Sequence, residues 1–174
     1  ERTVTKLAET SPASFMLQVI NPDGAVFLLL SGGGASVVVA DEVYSAGHGE
    51  KLADYGEYSG NPTAEETYIY AGAVIRLLLA SSAPRKVLFI GGAVANFTNI
   101  EKTFDGIIRV IDEYADQLQQ QNVKIFVRRG GPHQEAGLAN MRRTLEKYNL
   151  LGKVYDQTTP IGDAVATALK EIES

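Results

Sequence analysis

The sequence predicts one α/β domain in three layers, a mostly parallel sheet with helices on both faces. Two observations carry this. From Leu52 onward, short apolar runs alternate with longer stretches whose apolar residues recur at helical spacing, the pattern of βαβ units. No internal repeat, low-complexity tract or long linker divides the 174 residues, a length that suits one domain with a substantial core.

Residues 1–14 show little pattern and begin without a methionine. They read as a linker cut from a longer polypeptide, with the domain proper at 15–174. Residues 15–20 and 25–30 read as strands. The turn Asn21-Pro22-Asp23-Gly24 between them predicts an antiparallel hairpin at the sheet edge. Residues 35–44 read two ways. Val37, Val38 and Val39 favour a strand, whereas Asp41, Glu42 and the preceding glycine run leave a helix open. Residues 52–62 start like a strand and end in turn residues. Thr63 and Glu66 form a capping box opening a helix, with Tyr70, Ala73, Val74, Leu77 and Leu78 on one face. Pro84 stops it. Residues 87–90 and 123–127 read as buried strands. Between them Phe104, Ile107, Ile108, Ile111, Ala115 and Leu118 mark a helical face. A helix over 138–148, a short strand at 154–155 and a helix over 161–172 complete the chain.

Chemistry concentrates where strands end. In parallel sheets, ligands gather beyond the C-terminal strand ends. The segments 32–34, 58–62, 91–98 and 128–132 all fall there. Gly91 and Gly92 permit close backbone approach. Thr98 and Glu101 form a second capping box, which predicts a helix start near Thr98. Asn96 and Thr98 then lie beside free N–H groups at the positive end of a helix dipole, a site suited to an anion. Arg128 and Arg129 end the next strand and point to opposite faces, so one of them serves a given site. Together these predict a carboxylate or phosphate ligand.

Composition narrows the alternatives. A net charge of −5 argues against nucleic acid or an anionic membrane as the main partner. There is no cysteine, so disulfides and thiolate metal sites are excluded. No apolar run reaches the roughly 18 residues a membrane span needs. The glycine run at 32–34 has neither the P-loop nor the dinucleotide spacing. His48 and His133 lack a partner pattern and read as surface or packing residues, Glu57 as a loop brace. Tyr114 lies roughly 24 Å along the helix from Thr98 and reads as packing.

Four segments carry a resemblance. They are Gly-Gly-Gly-Ala-Ser-Val-Val at 32–38, Tyr-Gly-Glu-Tyr-Ser-Gly at 55–60, Gly-Gly-Ala-Val-Ala-Asn-Phe-Thr-Asn at 91–99 and Phe-Val-Arg-Arg-Gly-Gly-Pro at 126–132. In this order they resemble the citrate-binding domain of ATP-citrate lyase and of the related citryl-CoA synthetase large subunit. The resemblance implies a flavodoxin-like fold similar to the C-terminal domain of the succinyl-CoA synthetase β subunit, with a helix after Gly34. It implies a piece of an ATP-dependent citrate–CoA ligase or lyase, inactive alone. The full ligase makes citryl-CoA from citrate, ATP and CoA, and the full lyase goes on to acetyl-CoA and oxaloacetate.

The implied citrate contacts are Gly60, Asn96, Phe97, Thr98 and Arg129, with Gly33, Gly34, Gly92 and Ala95 alongside. The helix after Thr98 resembles a power helix, whose N-terminus stabilises a phosphohistidine supplied by another domain. Ala93 stands where relatives can carry serine. No catalytic residue, cofactor or metal ligand falls to this piece. ATP, Mg and CoA belong to the whole enzyme, with an ATP-grasp domain before residues 1–14. The expected partners are citrate and the ATP-grasp and CoA-binding domains or subunits, in a cytoplasmic oligomer, with no nucleic acid or membrane. The other reading is a standalone flavodoxin-like small-anion module, or a succinyl-CoA synthetase-like subunit domain.

Overall fold

A computed structural model describes residues 1–173. Its elements are α1 (Arg2–Thr10), β1 (Ser14–Val19), β2 (Val26–Ser31), α2 (Gly34–Ser45), β3 (Asp54–Ser59), α3 (Ala64–Ala80), β4 (Lys86–Val94), α4 (Ile100–Gln120), β5 (Val123–Gly130), α5 (Gln134–Lys147), β6 (Leu151–Tyr155) and α6 (Ile161–Leu169). The six strands form one sheet in the order β1-β3-β2-β4-β5-β6. Only β1 runs antiparallel to its neighbour. Without β1 the order is the flavodoxin-type one, and its switch point lies between β2 and β4.

Side-chain alternation divides the core between the two faces. Phe27, Leu29, Leu88, Ile90, Ile125 and Val127 meet α1, α3, α4 and α5 on one side. Val26, Leu28, Leu30, Val87, Phe89 and Phe126 meet α2 and α6 on the other. Strands covered on both faces are buried throughout, and β2 is apolar from Val26 to Leu30. The ambiguous segment is helical: α2 buries Val39 and Val43 and leaves Val37 and Val38 exposed. Here the amphipathic fit overrides the strand propensity of three valines.

Two expectations need correction. The hairpin at 15–30 does not form, because β3 lies between β1 and β2. The turn is real, since Gly24 N–H donates to Asn21 O (3.0 Å). It carries the chain across the start of β3, where Ile20 and Asn21 donate to Ala53 O and Ala25 donates to Lys51 O. β1 alternates exposed and buried residues, as an edge strand does, whereas β2 is buried throughout and needs a partner on each side. Residues 2–10, within the segment read as a linker of little pattern, form α1, which buries Val4 and Leu7 in the core.

Lys86 closes the lower end of α3. Only 2% exposed, its ammonium donates to Leu78 O (2.9 Å), Ser81 O (2.5 Å) and Gln121 Oε1. It satisfies carbonyls that a helix C-terminus leaves without partners.

Candidate functional site

The upper ends of β2, β4 and β5 and the loop after β3 converge at the switch point. β4 continues through Gly91 and Gly92 to Val94, so the glycines expected in a loop lie within a strand. Pairing with β5 is regular up to Gly91↔Arg128 and resumes at Val94↔Gly130. Gly92 and Ala93 therefore face the single residue Arg129, which is a β-bulge. The arginine side chains bond the carbonyls of the bulge. Arg128 donates to Gly92 O (3.0 Å), and Arg129 donates to Ala93 O. Arg128 also donates to Thr159 O (3.0 Å) and Gln157 O (3.1 Å), tying the loop before α6 to the bulge.

Arg129 is 4% exposed, and its Nε has no hydrogen-bond partner. Among the described residues it forms no ion pair. Burial, with Arg128 adding to it, holds its pKa below the ordinary arginine value. Arginine nevertheless stays charged. A buried guanidinium with an orphan N–H and no carboxylate beside it is a demand for an anion.

The neighbouring loops approach closely. Thr98, buried, donates its hydroxyl to Gly60 O. Gly60 has φ +86°, a conformation that favours glycine. Asn61 Oδ1 accepts from Asn99 N–H (3.2 Å), a second tie between the β3–α3 loop and the start of α4. A Cβ on Gly92 would lie 1.7 Å from Ser31 Oγ and 2.7 Å from Arg129 Nη1, so a side chain there would displace both groups. Gly33, with φ +107°, precedes α2, and a Cβ on Gly33 or Gly34 would meet nothing within 4 Å. That helix start is open.

Similarity to known proteins places the chain in a family. Residues 1–171 match the family described as ATP citrate lyase citrate-binding. The chain belongs to that family. A probable ATP-citrate synthase from Caenorhabditis elegans is 40% identical over 172 residues, covering 97% of this chain and 16% of the worm protein. The ATP-citrate synthase of Homo sapiens is 44% identical over 142 residues, covering 81% of this chain and 13% of its own length. A solved ATP citrate lyase from Methanothrix soehngenii, in complex with citrate and coenzyme A, superposes with a TM-score of 0.95 at 41% identity. It covers 98% of this chain and 45% of the archaeal one. The chain thus spans 13% to 45% of the length of these relatives.

Against that background, the residues expected from sequence fall into three groups. Thr98 meets Gly60, and Gly92 meets Arg129. Gly33 and Asn96 are exposed on loops and Gly34 at the first position of α2, at the same end of the sheet, and Ala95 packs against Gly131, whose Cβ would lie 2.8 Å from it. Phe97 is 68% exposed, standing off the surface instead of packing into it. The expected role of Thr98 as helix cap is corrected. α4 starts at Ile100, and Asn99 is its N-cap, its Oδ1 accepting from Lys102 N–H (2.9 Å). The Thr98 hydroxyl is instead taken up by Gly60.

Ser31, Arg128 and Asn61 lie in or beside segments that the sequence marked, but sequence reasoning gave none of them a contact of its own. Ser31 ends a strand immediately before the glycine run, a position that signals the switch point. Elsewhere, His48 Nε2 lies 3.0 Å from Glu173 Oε1, exposed His133 precedes α5, and Tyr55 donates to Glu57 (2.8 Å) as a brace would.

Proposed function

We propose that this chain holds citrate for an ATP-dependent citrate–CoA ligase or lyase whose other domains supply the chemistry. The observation that carries the reading is the buried, unpaired guanidinium of Arg129. A carboxylate fits its planar donors in fork geometry, with Nε as one prong. Gly60, Asn96, Phe97 and Thr98 are the proposed further contacts, with Gly33, Gly34, Gly92 and Ala95 at the margin. Here a second carboxylate meets backbone N–H groups near the start of α4. Family membership and the citrate in the archaeal relative support the choice of anion.

The domain contributes position and charge, not a nucleophile. In the whole enzyme a phosphohistidine from another domain would meet one citrate carboxylate, giving citryl phosphate, and CoA would capture the acyl group. ATP, Mg and CoA would be held by those other domains, in a cytoplasmic oligomer. Among the described residues, no three His, Cys, Asp or Glu side chains gather as a metal ion would require.

Titration calorimetry of the chain with citrate tests the reading. Binding is expected, and Arg129→Ala should weaken it by about 1.5–3 kcal/mol, the scale of a hydrogen bond to a charged group. Equal affinity in the variant would remove Arg129 as the carboxylate clamp.

A further inference from the structure

One hydroxyl beside Arg129 has no settled partner. Ser31 ends β2 at the switch point and is 4% exposed. Its Oγ reaches only the carbonyl of Gly91, at 3.4 Å, the outer limit of a hydrogen bond. The same oxygen projects over Gly92, into the space that the missing Cβ leaves and that Arg129 Nη1 also borders. A neutral hydroxyl and a guanidinium thus share one small volume, and each has hydrogen-bonding capacity to spare.

That pairing has a chemical counterpart. A 2-hydroxy carboxylate carries a hydroxyl and a carboxylate on one carbon. The carboxylate suits the guanidinium, and the hydroxyl suits a serine that can both donate and accept. The central carbon of citrate is such a group. We propose that Ser31 is a specificity residue that reads the ligand's hydroxyl while Arg129 takes the adjacent carboxylate. This rests on the citrate reading above. It also sets the ligand's orientation: the central carbon faces the β4 bulge, and one carboxymethyl arm reaches toward Thr98. Selection follows because a site built to bond a hydroxyl penalises the analogue that lacks it.

Calorimetry with two ligands tests this, citrate and propane-1,2,3-tricarboxylate, which is citrate without its hydroxyl. The parent chain should prefer citrate by about five- to tenfold, the scale of one neutral hydrogen bond. In Ser31→Ala the preference should fall to about twofold or less, with affinity for the deoxy compound unchanged. The methyl side chain leaves the strand and the Ser36 Oγ bond to Ser31 O (3.0 Å) in place, and a thermal melt verifies folding. Three results overturn the inference alone: equal binding of both ligands by the parent, a preference retained in Ser31→Ala, or a parallel loss for both ligands. The last would make Ser31 a mere prop for Arg129. Binding of neither ligand by the parent would overturn the citrate reading itself, and this inference with it.

Discussion

At Asp54 the chain buries a carboxyl completely, with Oδ1 accepting from Leu28 N–H (2.8 Å) and Oδ2 without a partner. The contact fills a gap in the sheet. β2 bridges Leu52, just before β3, at Val26 and pairs with β3 again at Leu30↔Glu57, and between them the Asp54 side chain replaces a backbone acceptor. Burial pushes its pKa up to about 8. The sign follows from linkage. Between the unfolded value of 3.8 and about 8 the folded state holds a proton that the unfolded state has released. Stability is therefore greatest below that window and falls as pH rises through it, by at most about 1.4 kcal/mol per pH unit. Urea unfolding from pH 5 to 9 should show this decline, and Asp54→Asn should flatten it. An unchanged slope in the variant would assign the pH dependence elsewhere. Asp54 was not legible in the sequence. It looks like an ordinary polar residue near a turn, and its meaning arises only when β2 comes alongside. Ser31 was visible as the residue before a glycine run, but not as a neighbour of Arg129. Arg129 and Thr98 drew notice because strand ends and capping patterns announce themselves locally, whereas Gly60 was singled out by the family resemblance.

Among the elements, the start of α4 shows how two adjacent residues divide the work. Asn99 caps the helix, whereas Thr98 ties it to Gly60. Asn99→Ala should cost about 1 kcal/mol of stability in denaturant unfolding, the usual cost of losing an N-cap. Its effect on citrate affinity should be small next to that of Thr98→Ala, since Thr98 joins the two loops of the site. The reverse order would make the cap the more important of the two. The capping pattern at 98–101 misled because Asn99, one residue on, is an equally good cap, and tertiary contact decided between them. The box at Thr63 and Glu66 had no such competitor and forms as read, with both reciprocal bonds present (2.8 and 3.1 Å). The same physics explains the hairpin. A turn fixes the local reversal but not the neighbour, and β2, buried on both faces, accepts only interior positions.

For the whole molecule, the division of labour predicts binding without turnover. Supplied with citrate, ATP and CoA, this chain alone should form no citryl-CoA, and incubation with labelled ATP should leave no acid-labile phosphate on His48 or His133. His48 already faces Glu173, and His133 lies exposed at the start of α5. Stable label on either would move the phosphoryl chemistry into this domain. The buried ammonium of Lys86 offers a way to watch binding without any signal from the ligand. An amine-reactive anhydride cannot reach it while α3 and β4 stay packed, so its acylation waits on opening of the molecule. If that opening also dismantles the site, citrate at about 100 times its dissociation constant should slow acylation of Lys86 about a hundredfold, while exposed lysines react as before.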